Sequence, residues 1–328
     1  MRALRNVTGL ALALTYALIV LGAWVRATNS GLSCPDWPTC YGHWVPFPSD
    51  IPSDTGYTYF QVMLEWVHRF IAGIFLGPLI LVIGILCWRR RDAHARLPLY
   101  GVALVILLLI QASLGGITVF DQNSPWSVAL HLTTALIIFS MLWLVFEWSG
   151  ADVKISGNEP DRHIDRLRKP LIFGSIAVWL LAIGTMASAA MTAKSGASLA
   201  CSTWPLCDGE IIPDLGDPLI RLHSAHRWLA LATTIGVLLL FFQGRKVKPL
   251  KSLVHGALIL IFCQILLGAT VIVLEVPVWT AVAHQALGVL TFAFITRIMW
   301  RVGRVPPPPT SPSFAKGSDR MPAATSTA

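Results

Sequence analysis

Charge is what this 328-residue sequence has least of: Asp, Glu, Lys and Arg together make up 13% of it. An ordinary soluble domain carries about 25%. The shortage excludes a soluble globular protein, because 55% of the residues are hydrophobic and fall in runs long enough to cross a bilayer. The net charge of +8 does not mark a nucleic-acid binder, since the basic residues are spread over short connections instead of forming a patch. Whole segments, 28–58, 121–125 and 275–277, lack Lys and Arg altogether, and 194–221 has only Lys194 and Arg221. A CxxC motif is missing too. The loop cysteines stand five residues apart, wider than a redox CxxC and wider than the usual zinc spacing.

What is present is a succession of apolar spans. Eight can be drawn, at about 7–27, 60–88, 97–120, 126–148, 170–193, 222–243, 251–274 and 278–301, each near the twenty residues that a membrane helix needs. Lipid cannot satisfy open backbone groups, so an all-α helical bundle is expected. The first run is too long for the apolar core of a signal peptide and reads as a span. Lys and Arg cluster before the first span, in 89–96, in 149–169, in 244–251 and after the last span. The positive-inside rule makes these segments, and both termini, cytoplasmic. Residues beyond 304 are rich in Pro, Ser, Thr and Ala and are expected to be disordered.

The sequence repeats itself. Cys34, Trp37, Pro38, Cys40 and Gly42 return at the same spacing as Cys201, Trp204, Pro205, Cys207 and Gly209. His68-Arg69 returns as His226-Arg227. Gln111, Gly115 and His131 return as Gln264, Gly268 and His284, all offset by 153. The expected organisation is therefore an N-terminal four-helix bundle at 1–148, a cytoplasmic linker at 149–169, a C-terminal four-helix bundle at 170–304 and a tail at 305–328. An even number of spans separates the copies, so they share one orientation.

Four histidines keep register inside spans: His68 and His131 in one half, His226 and His284 in the other. All lie within about two turns of the outer boundary. Ionisable groups at such positions are costly and default to a functional role. Two imidazoles on facing helices of a bundle are a standard way to hold a haem iron. The bland alternative is four satisfied polar residues. Zinc fits less well, for want of a third and fourth ligand. Glu65 stands one helical turn before His68, and His223 takes its place in the second half, where it competes with His226 as a ligand. Arg69 and Arg227 suit haem propionates or head-group anchoring. The cysteine loops read either as disulfide staples in an oxidising compartment or as redox-active pairs, with Trp37 and Trp204 as interfacial anchors. Cys87 and Cys263 lie in spans and read as packing residues.

These residues resemble one family. GAWVRATNSGLSCPDWPTC at 22–40, EWVHRF at 65–70, QASLGG at 111–116, ALH at 129–131, HR at 226–227 and AHQALG at 283–288 are together similar to haem A synthase, the membrane oxidoreductase that converts haem O to haem A for terminal oxidases. The resemblance implies that His68 and His131 stand near the iron of the substrate haem O and that His226 and His284 ligate a resident haem b. It implies that Glu65 is the catalytic acidic residue and that Cys34 and Cys40 form a functional disulfide. Cys201 and Cys207 would form a second one. Haem O synthase is the expected supplier of substrate; the electron donor or acceptor is not identified, and a homo-oligomer is compatible with the sequence. The expected location is a bacterial cell membrane, among its lipids, with the cysteine loops on the extracytoplasmic side. The competing reading is a non-catalytic di-haem electron carrier of the cytochrome b type, in which both halves would work alike.

Overall fold

The computed structural model of the protein describes residues 1–150 and 162–302. Among them are eight helices long and apolar enough to cross a membrane. They are α1 (Arg2–Ala27), α2 (Tyr59–Arg89), α3 (Leu97–Phe120), α4 (Pro125–Ser149), α5 (Arg162–Lys194), α6 (Pro218–Gly244), α7 (Lys251–Val273) and α8 (Val278–Val302). Every span drawn from hydropathy is found within a few residues of its expected ends. The largest difference is α5, whose helix begins at Arg162, inside the expected linker. The charges of 162–169 end the apolar signal there, but they do not stop the helical backbone. Residues 151–161 of that linker and the tail from 305 lie outside the described residues.

The helices that carry the four histidines have well-defined starts. Thr58 caps α2 and pairs reciprocally with Gln61, which satisfies two otherwise orphaned groups. Ser124 caps α4 and Asp217 caps α6, each followed by a proline at the first helical position, where the missing N–H costs nothing. Pro277 precedes α8, and its carbonyl accepts from Thr280 Oγ1 at 2.7 Å. These caps fix where each helix begins, and so fix each histidine in its second or third turn.

Helices α1 to α4 pack in a closed ring, α5 to α8 pack in another, and α1, α4, α5 and α8 meet between the two. One apolar core runs through both, including Leu18, Ile80, Leu136, Phe292 and Ile295. At the histidine-poor end, Arg297 Nε and Nη2 on α8 reach Glu147 Oε1 on α4, both at 3.1 Å, and Arg301 lies 3.6 Å from Oε2. Trp179 and Trp300 donate from α5 and α8 to Ser140 of α4, at 3.1 and 3.0 Å.

Helix α2 contains a π-helical turn at Ile71–Leu76. Pro78 follows it. A proline lacks the N–H and crowds the carbonyl four residues earlier; the chain absorbs this by widening, with the Gly77 N–H reaching Ala72 O. Helix α6 has Gly236 at the corresponding place and stays α-helical throughout.

Candidate functional site

The histidines pair across facing helices, as expected from their spacing. His68 and His131 are near enough to interact electrostatically, and so are His226 and His284. The structure adds residues to which sequence reasoning gave no task. A Cβ at Gly22, Gly115 or Gly268 would lie 3.3, 3.4 and 3.0 Å from the Cε1 atoms of His68, His131 and His284. Each glycine is thus the notch that admits a ring between helices. Gln111 Nε2 is 3.2 Å from His131 Nε2, and Gln264 Nε2 is 3.4 Å from His284 Nε2. Glutamine and glycine four residues apart share one face of a helix, and this QxxxG spacing, legible in the sequence as a repeat marker, is the signal that could have revealed them. His226 is held differently: its Nδ1 lies 3.1 Å from both Ser188 Oγ and Thr185 O of α5. That hold directs Nε2 away from α5; a metal-binding imidazole is typically fixed in this way through its other ring nitrogen.

Several buried polar atoms here have no protein partner: Nδ1 of His68, His131 and His284, and Oε1 of Gln111 and Gln264. Buried polar groups in folded proteins are nearly always paired, so their gathering around the histidines marks places where something else binds. Among the described residues no three His, Cys, Asp or Glu converge as a metal centre. A bare zinc ion would therefore be short of ligands. Two opposed imidazoles suit a group that brings four equatorial donors of its own, which is what a haem does. The donor set fits haem in both halves.

Above each pair lies a cysteine loop. Cys34–Cys40 and Cys201–Cys207 are both disulfides, with Cα atoms 4.7 and 4.6 Å apart. Each closes a short loop, and a tight turn follows it, bridged from Cys40 to His43 and from Cys207 to Glu210. In the first loop Asp36 accepts from Thr39 Oγ1, from the Tyr41 amide at 2.6 Å and from the Gly42 amide at 3.0 Å. Burial alone would raise the Asp36 carboxyl, but those hydrogen bonds outweigh it and hold the group below the usual carboxylate range. In the second loop Asp208 works from the opposite arm and accepts from the Ser202 amide and hydroxyl at 3.2 and 2.7 Å. Trp37 and Trp204 are both exposed, with the Trp37 ring resting over Gly116 of α3. Asn123, in the turn between α3 and α4, donates to Gly31 O at 2.6 Å and ties that turn to the first loop.

Glu65 is buried, and its carboxylate faces the cysteine loop. Oε2 accepts from the Cys34 amide at 2.9 Å and from Ser33 Oγ at 3.0 Å. Oε1 pairs with Arg69 at 2.5 Å. In the second half the Cys201 amide meets Nδ1 of His223 at 3.3 Å instead. His223 is thus a loop anchor in the place of Glu65, and His226 is the histidine set opposite His284. Arg69 and Arg227 also turn to the loops. Arg69 donates to the carbonyls of Cys34, Asp36 and Thr39, and Arg227 to those of Cys201, Pro205 and Leu206.

Comparison with known proteins agrees with this picture. Residues 5–296 match the family model for the cytochrome oxidase assembly protein COX15-CtaA. A haem A synthase of Shewanella oneidensis is 32% identical, over 88% of this chain and 94% of its own length. One from Symbiobacterium thermophilum is 29% identical, over 89% and 94%. One from Bacillus pumilus is 30% identical, over 82% and 85%.

Proposed function

The chain belongs to the COX15-CtaA family of cytochrome oxidase assembly proteins, and from that premise we propose that it is a membrane haem A synthase that oxidises the C8 methyl of haem O to a formyl group. Two successive oxidations take the methyl to a hydrated aldehyde, which loses water. The observation that carries the reading is the duplicated histidine pair with its one asymmetry. Both halves present two half-buried imidazoles with buried, unpartnered polar atoms around them, but a carboxylate, Glu65, stands beside only one pair.

In this reading the first half takes the substrate. His68 and His131 receive the haem O iron, and the notches at Gly22 and Gly115 set the ring positions. Glu65, one turn from His68, takes or relays a proton, which requires it to give up one of its present partners. In the second half His226 and His284 would hold haem b, with Ser188 and the Thr185 carbonyl fixing the tautomer of His226. A resident haem b supplies a one-electron centre. The cysteine loops and the histidine end lie on the extracytoplasmic side, the basic connections are cytoplasmic, and a haem O synthase delivers the substrate.

A di-haem electron carrier is the second reading, favoured by the near identity of the two loop frames. Haem extraction and chromatography after expression in a host that makes haem O separates them. Haem b together with haem A, or with its hydroxylated precursor, supports the synthase. Haem b alone favours the carrier, and no haem in a folded protein removes both.

A further inference from the structure

The arginine that follows each proposed ligand holds a cysteine loop from below, but only the first is joined to an acid. Arg69 donates to three carbonyls in the segment closed by the Cys34–Cys40 disulfide, and its Nη2 also holds Glu65. The other carboxylate oxygen is taken by the Cys34 amide, at the start of that segment, and by Ser33, the residue just before it. The side chains of the pair are 13% and 6% exposed. Both oxygens of Glu65 are therefore fastened to a structure whose shape depends on one covalent closure. Arg227 makes the matching contacts to Cys201 and Leu206 but has His223 where the acid would be. Loop support thus needs no carboxylate at this helix position, since the second loop has only its own Asp208, and the Glu65 link is an addition in one half. Guanidinium donors committed to loop carbonyls are also not directed at a haem propionate.

We propose that Arg69 is a positioning residue for Glu65 and that the Cys34–Cys40 loop is its lock. With the disulfide closed, the carboxylate is fastened toward the loop. An external dithiol reduces the disulfide by two electrons and two protons, giving two cysteine thiols and a disulfide on the reductant. The carbonyl cage then opens, and Glu65 is released to turn toward His68. The inference rests on reading Glu65 as the catalytic acid.

The test is carboxyl labelling of the full-length, haem-loaded protein with a water-soluble carbodiimide and an amine, followed by peptide mass spectrometry at Glu65. In the oxidised protein Glu65 labels slowly. Reduction by a dithiol, the Cys34→Ser/Cys40→Ser variant and Arg69→Gln each speed labelling about tenfold, as expected when a few hydrogen bonds are lost. Arg69→Lys falls between, and Arg227→Gln matches the unmodified protein. The second-half haem spectrum reports folding, and should Arg69→Gln not fold, the reduction of the unmodified chain decides alone. Equal labelling in oxidised and reduced protein overturns the lock. In turnover, Arg69→Lys lowers kcat and leaves the KM for haem O unchanged, whereas a raised KM at constant kcat would assign Arg69 to the propionates and overturn its positioning role. Glu65→Gln that still makes haem A removes the catalytic reading of Glu65 itself, an outcome distinct from the labelling result.

Discussion

The first and second halves share a frame and diverge along one helix. Both have a disulfide loop, an arginine gripping its carbonyls, a histidine on that same helix and another on the helix facing it. Both turn between their third and fourth helices through two left-handed residues, Gln122 and Asn123 in one and Glu275 and Val276 in the other. The differences are on α2 and α6. Glu65 faces His223, and the π turn before Pro78 faces an unbroken helix at Gly236. Gly236 lets α5 and α6 approach until a methyl group there would strike Val178. Under the proposed reading, the His226 ring pinned by Ser188 and the close packing of α5 and α6 suit a fixed occupant in the second half. In the first half, α2 departs from α-helical geometry just beyond His68, a kind of irregularity often found at functional sites.

The strongest test of this contrast removes the histidines of each pair in turn. His226→Ala or His284→Ala should abolish the haem that remains bound through purification, while His68→Ala and His131→Ala should spare it and stop haem A formation; a pyridine haemochrome assay with chromatography reads both. The opposite pattern would reverse the roles of the halves. Next comes the carboxylate. Glu65→Gln should reduce product by about a hundredfold or more, the range for loss of an acid–base group, with haem b content unchanged. His223→Gln should cost only loop stability, about 1 kcal/mol for a hydrogen bond, measured as a shift in thermal unfolding of the haem-loaded protein.

An effect smaller than that of losing the carboxylate is expected at the notches. Gly268→Ala places a methyl 3.0 Å from the His284 ring, and Gly115→Ala places one 3.4 Å from His131. Overpacking of this kind costs about 1–3 kcal/mol, so Gly268→Ala should disturb the spectrum of the resident haem while Gly115→Ala leaves it unaltered. The smallest is a pH effect confined to one loop. The folded Asp36 carboxyl lies below its unfolded value, so its contribution is complete above about pH 4, the unfolded carboxylate value, and is lost as pH falls through the folded value. Amide exchange at Tyr41 and Gly42 should accelerate across that window and become insensitive to it in Asp36→Asn.

Most of this architecture was legible in the residues themselves. A membrane span needs a long apolar run, so the eight helices are written in hydropathy, and a tandem repeat is written in spacing. The start of α5 was not, because a helix leaving the apolar band keeps its hydrogen bonds while its composition turns charged. The histidines announced themselves as ionisable groups inside spans. Their notches did not, since a glycine in a helix shows no sign of what lies opposite. Nor could the sequence say where Arg69 points. An arginine beside a haem ligand suits a propionate on charge alone, and only the folded loop shows three carbonyls waiting for it.

The ion pair at the histidine-poor end has a consequence for ancestry. By the repeat offset, Glu147 corresponds to Trp300, and Arg297 and Arg301 to Leu144 and Trp148. Two copies of the first half would meet with an acid facing apolar residues, and two copies of the second with basic residues facing tryptophans. Each half alone carries only one side of this ion pair. The two halves made as separate chains should therefore associate with each other in preference to themselves, which co-purification of differently tagged halves would read.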